Sequence, residues 1–469
     1  MINKQKILLI APSPPEERKD RVDPPLGLAY IASGLEERGH EVKILDMNID
    51  GSDVVKEIET FQPSIAGIQV MTQHRFFVFN LTKIIKKEFP EVMIVLGGPH
   101  VTFTAHEVLE KVKSIDVIVK GEGENAMCKI ADGESFSIIQ GISFRKGNTA
   151  VHNPLPPPFD VNELPVPAYH LLNLKKYNLD VMGEPATAIF TSRGCPNKCI
   201  FCSSGHMPGG LRFKNPEIVL ETVKKLKNDF GYNAFIIEDD TFGANYEVTR
   251  KIMEGFKSME ITVGIKTRAN LLKPGFLRML KSGGCVRLNF GVESGEPRIL
   301  KVIRKNIDMS QAIEAVKNCV KFDIEPNIYF MAGNITETKE NVRKSIEFAR
   351  KLYGLGANPI WAWGVSIYPG TELEFISKQQ NILPSSFSWT ELYYHEKNLI
   401  LGRSPYIPIV ENPTLKIEEL AELNNTYNEY MLGPFKSLIK ILPNRLKKIK
   451  KLSYMHRKLL HLMGYHHSF

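Results

Sequence analysis

The sequence predicts an α/β protein: an N-terminal Rossmann-like sheet, then a partial (β/α)6 barrel of TIM type, then a helical C-terminal region. Two observations carry this expectation. Short apolar runs alternate with segments of helical periodicity twice over, once before and once after a proline-rich stretch. From about residue 385 onward the strand-like runs fade and helical patterns remain.

In the first series, residues 6–11, 41–46, 64–70, 93–96 and 116–119 read as strands. Helical periodicity lies between them at 26–38, which ends at Gly39, and at 76–88. Strands joined by right-handed helical crossovers make a parallel, doubly wound sheet with helices on both faces. Residues 141–153 predict a hairpin around Lys146-Gly-Asn148, and the prolines of 154–167 predict an extended linker and a boundary. In the second series, strands are expected at 188–191, 234–238, 263–267, 286–291, 327–331 and 360–367, and helices at 216–229, 246–258, 274–281, 310–322 and 340–352. Six βα units make most of a barrel that closes with eight. Residues 415–432 and 434–463 read as helices. The expected division is 1–140, 141–184, 185–385 and 386–469.

Composition bounds the function. The formal net charge of +8 is concentrated in the tail, where Lys436, Lys440, Arg445, Lys447, Lys448, Lys450, Lys451, Arg457 and Lys458 meet no acidic residue. Leu438, Ile439, Ile441, Leu442, Leu446, Ile449 and Leu452 interleave with them. Such a basic amphipathic helix suits peripheral contact with an anionic membrane surface, or equally a solvated helix packed on the barrel; Pro443 kinks or splits it. No aromatic platform accompanies the charge, so nucleic acid is not expected. The first apolar run leads straight into Ala11-Pro-Ser-Pro-Pro15 and reads as a strand rather than a signal peptide. With no apolar run long enough to span a bilayer, the expected setting is cytoplasmic, with at most peripheral contact on the inner membrane face.

Three of the six cysteines are clustered, in Thr191-Ser-Arg-Gly-Cys195-Pro-Asn-Lys-Cys199-Ile-Phe201-Cys202. Thiolates are the usual ligands of iron–sulfur clusters. Three of them can hold three irons of a [4Fe–4S] cubane and leave the fourth iron open. The loop follows a strand, at the barrel end where such folds place their sites. A zinc knuckle is the competing reading; it wants four protein ligands, and His206 is the available fourth. Cys128, Cys285 and Cys319 lie in apolar patterns and read as buried, inert thiols. Trp361 and Trp363 share one face of the sixth strand, as barrel filling or as a stacking surface.

With C-x-x-x-C-x-x-C and Phe201 before the last cysteine, the segment resembles the radical SAM superfamily. The resemblance implies that Cys195, Cys199 and Cys202 hold the cluster and that the open iron binds S-adenosyl-L-methionine (SAM). SAM is then cleaved to methionine and a 5′-deoxyadenosyl radical, which abstracts hydrogen from an unreactive C–H bond. It further implies SAM contacts from Phe201, from Glu238, Asp239 and Asp240 after the second barrel strand, from Arg268 after the third, from Glu293 and Ser294 after the fourth, and from Gly333 after the fifth. An electron donor such as flavodoxin or ferredoxin would be the partner.

The first 140 residues resemble the cobalamin-binding (B12-binding) domain of the B12-dependent radical SAM branch. The carrying segments are Pro24-Pro25-Leu26-Gly27, Gly97-Gly98-Pro-His100 and Gly121-Glu122-Gly123-Glu124. The resemblance implies that these residues, with Thr72, contact cobalamin. The D-x-H-x-x-G pattern that supplies a lower histidine to cobalt is absent, so the cobalt is expected to lack one. Together the resemblances imply a cobalamin-dependent methyltransferase acting on an unactivated carbon of a small or, given the tail, lipid-like substrate. A radical cyclase, oxidoreductase or rearrangement enzyme on the same scaffold is the alternative, and a non-catalytic cobalamin or cluster sensor the third.

Overall fold

The computed structural model describes residues 4–14, 23–51 and 53–428. They form two compact units. The first comprises the described chain up to Leu179 together with Ser203–Arg212 and Tyr368–Tyr394; the second comprises Asp180–Cys202, Phe213–Ile367 and the described residues from His395.

The first unit is built on strands β1 (Lys6–Ala11), β2 (Glu41–Asp46), β3 (Ile65–Gln69), β4 (Met93–Gly97), β5 (Val117–Val119), β6 (Ile142–Lys146) and β7 (Thr149–His152). Their order is β2-β1-β3-β4-β5-β6-β7, with β1 to β5 parallel and the last two antiparallel. Helices α1 (Leu26–Glu37), α2 (Met47–Asp50), α3 (Val54–Phe61), α4 (Arg75–Glu88) and α5 (Pro99–Lys111) connect the parallel strands, and α6 (Glu124–Ala131) leads from β5 to the antiparallel β6. The central strands are apolar on both faces: Ile7, Leu8, Leu9, Ile10, Ile94, Val95 and Leu96 are all buried. Such runs need helices on both sides, which fixes the doubly wound arrangement. The chain reverses direction across the sheet between β1 and β3, and ligands of such sheets bind outside the strand ends at that switch point. The predicted hairpin forms, and it also extends the sheet, because Ile142 and Phe144 bury one face beside β5. The proline-rich stretch is not a free linker. Ser33 donates to the Val166 carbonyl at 2.6 Å, and Val161, Leu164 and Tyr169 are buried.

The second unit holds β8 (Asp180–Val181), β9 (Glu184–Ile189), β10 (Ala234–Ile237), β11 (Thr262–Thr267), β12 (Cys285–Glu293), β13 (Glu325–Ala332) and β14 (Asn358–Trp363), in sequential spatial order. β9 to β14 are parallel, and β8 is antiparallel to β9. Helices α7 (Pro216–Phe230), α8 (Tyr246–Ser258), α9 (Pro274–Ser282), α10 (Pro297–Val302), α11 (Met309–Lys321) and α12 (Lys339–Gly354) lie between the strands. Three begin with proline at the first helical position, where the missing N–H has no partner to lose. Reciprocal capping boxes start two more, Asp308 with Gln311 and Thr338 with Asn341. This is the predicted six-unit barrel segment, opened by a hairpin whose first strand lies in the stretch expected as linker and whose second begins before the expected 188. The sixth strand stops at Trp363 because Gly364 takes φ 74°.

On the helix-covered face, Leu288, Phe290, Ile328 and Phe330 are fully buried. Trp361 stacks between Phe330 at 4.9 Å and Trp363 at 4.8 Å, and Tyr427 packs on both tryptophans. The tryptophans therefore fill core between the last strand and the C-terminal segment. That segment is helical from 417 to 428; the expected helix at 434–463, with its basic residues, lies outside the described residues. Among the described residues no helix is long and apolar enough to cross a membrane.

Candidate functional site

The cysteine loop leaves the end of β9, and one carboxylate organises its start. Asp239, two residues after β10 and only 1 % exposed, accepts from the Thr191 backbone N–H at 2.7 Å and from the Thr191 and Ser192 hydroxyls at 2.5 and 2.6 Å. Burial pushes its carboxyl above the ordinary range, and the Ser192 and Thr191 hydrogen bonds pull it back down. Further along, the Ile200 N–H donates to the Ile303 carbonyl at 3.2 Å, and the Cys199 thiol lies 3.7 Å from the Arg304 carbonyl. The strap after α10 thus holds the second cysteine as Asp239 holds the approach to the first. Asn197 donates to the Cys195 sulfur at 3.5 Å, and the Thr241 hydroxyl lies at the same distance.

All three loop cysteines are free of disulfides. Among the described residues no three His, Cys, Asp or Glu side chains converge on a single-ion position. The donor set suits a cluster, whose cysteines sit on separate irons, better than one tetrahedral ion. Burial instead pushes the Cys128 thiol up to about 11 and Cys285 to about 12, and raises Cys319 as well, so these three are packing groups.

Around the same strand ends stand the other expected residues. Glu238 pairs with Lys266 and Asp240 is exposed. Arg268 is 8 % exposed; it donates to the Lys305 carbonyl and leaves Nε buried without a partner. Glu293 takes φ 70° and receives the Lys305 ammonium at 2.7 Å, both side chains being 8 % exposed. Gly333 takes φ 93° and donates to Glu337 at 2.7 Å. Phe201 is half-buried. Ser294 is fully buried and shares a hydrogen bond with Ser345 at 3.0 Å, so its hydroxyl ties the turn to α12. Glu337, which the sequence reading did not single out, is fully buried; burial raises its carboxyl to about 7, against hydrogen bonds from Asn334 and Gly333.

In the first unit the expected cobalamin residues gather at the strand ends. Gly98 takes φ 104°, where a Cβ would meet the Val70 backbone at 3.0 Å, so only glycine lets α5 start this close to β3. Gly97 and Gly27 face open space at their Cβ positions. Pro25 and Leu26 begin α1. His100 is fully buried, its Nδ1 3.2 Å from the Thr72 hydroxyl, and burial beside Arg75 drops its pKa to about 3. Gly121 donates to Thr102 at 2.9 Å, Glu122 is held by Arg212 at 2.8 Å, and Gly123 and Glu124 open α6. Arg75, which carried no signal in the sequence, is fully buried beside His100, and burial lowers it to about 9. Its Nη2 and the His100 Nε2 are buried and unpartnered by protein. Orphaned polar nitrogens at the ligand end of a doubly wound sheet fit a cofactor rich in polar side groups.

Residues 22–131 match the B12 binding domain family, and residues 189–349 match the Radical SAM superfamily. The chain belongs to the radical SAM superfamily, in the branch that joins a B12-binding domain to the barrel, and its cofactors are a [4Fe–4S] cluster, SAM and cobalamin. It is 34% identical over 447 residues, 89% of this chain and 95% of the relative, to "Uncharacterized methyltransferase PH0819" of Pyrococcus horikoshii. It is 26% identical to "Cytidylyl-2-hydroxyethylphosphonate methyltransferase" of Streptomyces wedmorensis, over 74% of this chain and 77% of that one. The fold is shared with the cobalamin-dependent SAM radical enzyme OxsB, at a TM-score of 0.75 and 19% identity over 98% of this chain and 72% of that one.

Proposed function

We propose that this protein is a cobalamin-dependent radical SAM C-methyltransferase that methylates an unactivated carbon of a small molecule. The observation that carries the reading is the pairing in one chain of a three-cysteine loop without disulfides and a B12-binding sheet whose ligand end holds buried polar nitrogens with no protein partner. When bound, the cluster supplies the electron that cleaves SAM to a 5′-deoxyadenosyl radical, and cobalamin supplies the methyl group.

Cys195, Cys199 and Cys202 are the cluster ligands in this reading. Asp239 and the strap at residues 303–305 position the loop, so the thiolates meet the iron with little ordering left to do. Arg268 offers a cation to the SAM carboxylate, and Glu238, Asp240 and Glu293 offer acceptors to its ammonium and ribose hydroxyls. Phe201 shields the last cysteine, and Gly333 lets the SAM base approach backbone. Thr72, His100 and the glycine-bearing loops at residues 25–27, 97–98 and 121–124 line the cobalamin site. His100 is neutral there and donates or accepts according to tautomer. A small one-electron donor protein, such as a flavodoxin or ferredoxin, completes the system.

The test is anaerobic turnover with cobalamin-replete enzyme, SAM and a reductant, read by mass spectrometry. Methylated product and 5′-deoxyadenosine should appear together. Deoxyadenosine without any methyl transfer to substrate sinks the reading.

A further inference from the structure

The inner face of the second sheet is polar along its ladder and open at Tyr329 and Ile360. Asn289, Asn327 and Asn358 are register partners on β12, β13 and β14. Their amides form a ladder: Asn358 donates to Asn327 at 3.0 Å, Asn327 to Asn289 at 3.1 Å, and Asn289 to the Ile265 carbonyl at 3.5 Å. Two residues earlier on the same face, Arg287 pairs with Glu325 at 2.9 Å and also reaches the Met182 sulfur at 3.6 Å. Lys266, the register partner of Asn289 on β11, pairs with Glu238. Two residues after Asn327, Tyr329 is 38 % exposed, and its partner Ile360 is 37 % exposed. Large side chains exposed in mid-strand mean that this face is not packed, whereas the interior of a closed barrel is filled by its own side chains. The hairpin of β8 and β9 closes one end: Val181 lies 3.6 Å from where a Cβ on Gly264 would stand, and Met182 meets Arg287.

The geometry points to this hollow as the substrate pocket, selecting a neutral or zwitterionic, hydrogen-bonding polar molecule rather than the lipid that the basic tail brings to mind. The inference rests on the methyltransferase reading and deepens it by naming the substrate class. Each primary amide has two donors and two acceptor lone pairs, and the ladder uses one of each in Asn289 and Asn327, leaving one of each for a ligand. Each cation of this wall, Arg287 and Lys266, has a carboxylate beside it, so the wall does not gather charge of one sign. An acyl or isoprenoid chain here would strip water from these groups and return no hydrogen bond. Tyr329 and Ile360 give a carbon skeleton an apolar resting place one layer nearer the strand ends. Asn289 precedes Glu293 by four residues, at most about 13 Å along a strand whose register shifts between Gly291 and Glu293. A molecule anchored on the ladder must reach that far to bring a carbon to the SAM end.

The experiment is saturation-transfer NMR on the cluster- and cobalamin-loaded full chain with SAM present. The probes are uridine, glutamine and glucose (neutral or zwitterionic), glucose 6-phosphate (anionic), and farnesol and palmitate (apolar). At least one neutral polar probe should bind saturably. Its affinity should fall tenfold or more in both Asn289→Leu and Asn358→Leu, with iron content and circular dichroism unchanged. Should the anionic or apolar probes be those that respond to the leucine substitutions, or should no probe respond, the inference is overturned. If one variant misfolds, the other decides, since Asn358 is on the edge strand and Asn289 in the interior. Deoxyadenosine and methyl transfer are assayed separately on the same preparations. Their failure with responsive probe binding removes the methyltransferase reading and leaves the hollow; catalysis on an apolar substrate does the reverse.

Discussion

Both units carry a seven-stranded, mainly parallel sheet, and they treat its faces differently. In the first, Ile7 to Ile10 and Ile94 to Leu96 are buried whichever way they point, so helices seal both faces and a ligand can enter only at the strand ends. In the second, β12 alternates: Leu288, Phe290 and Val292 are buried, while Arg287 and Asn289 are partly exposed on the opposite face. The first sheet offers an edge and the second a wall. The lesson is that an apolar run and an alternating run of equal length place chemistry differently, the former at its termini and the latter along its length.

The largest expected effect separates the two units outright. Cys199→Ala should lose the iron–sulfur absorbance and reduce deoxyadenosine to background, while cobalamin uptake, read from its visible bands, stays at the wild-type level. Loss of cobalamin binding in that variant would show that the two sites are not separable.

Next comes opposed pH dependence of stability, read unit by unit through hydrogen–deuterium exchange. His100 in the first unit has a folded pKa of about 3 against 6.5 unfolded, so between those values the unfolded chain binds more protons. Stability of the first unit should therefore fall as pH drops from 6.5, by up to ~5 kcal/mol, and His100→Phe should flatten that slope. Glu337 in the second unit has the opposite sign. Its folded carboxyl holds the proton up to about 7 against 4.5 unfolded, so the folded state binds more protons in that window. Stability of the second unit should fall as pH rises from 4.5 to 7, by ~3 kcal/mol, and Glu337→Gln should abolish the slope. Parallel slopes in both units would refute the contrast.

Smaller effects probe the loop supports. Asp239→Asn keeps one acceptor oxygen but sets an amide N–H₂ against either the Thr191 N–H or the Thr191 and Ser192 hydroxyls, and should cost ~1–3 kcal/mol, seen as lower iron retention during gel filtration. Gly98→Ala should cost about 1–3 kcal/mol through its φ of 104°, weakening cobalamin binding without changing iron content. An iron loss in Gly98→Ala as large as that in Asp239→Asn would erase the distinction between the two supports.

Much of this was legible in the sequence because each feature rests on local periodicity or spacing. The apolar runs of the first sheet, the cysteine triplet and the glycines after strands are of that kind. What was not legible depends on residues meeting across long separations. Arg75 gains meaning only once Trp389 caps it, its Nε donating to the Trp389 carbonyl at 3.1 Å. Asp239 reads as a ligand contact in the sequence and in the fold braces Thr191 and Ser192. The asparagine ladder did leave a trace, since Arg287, Asn289 and Glu325, Asn327 repeat with period two. The signal was absorbed into strand assignment, because period two alone does not tell a wall from a solvent-facing surface.

The barrel stops at six parallel strands, and β14 is therefore an edge with one neighbour in the sheet. A closed barrel ties every inner residue to partners on both sides, so altering one disturbs two. Asn358 stands on that edge strand. An unclosed seam is where a descendant of this chain could change what it accepts with one neighbouring strand to accommodate rather than two.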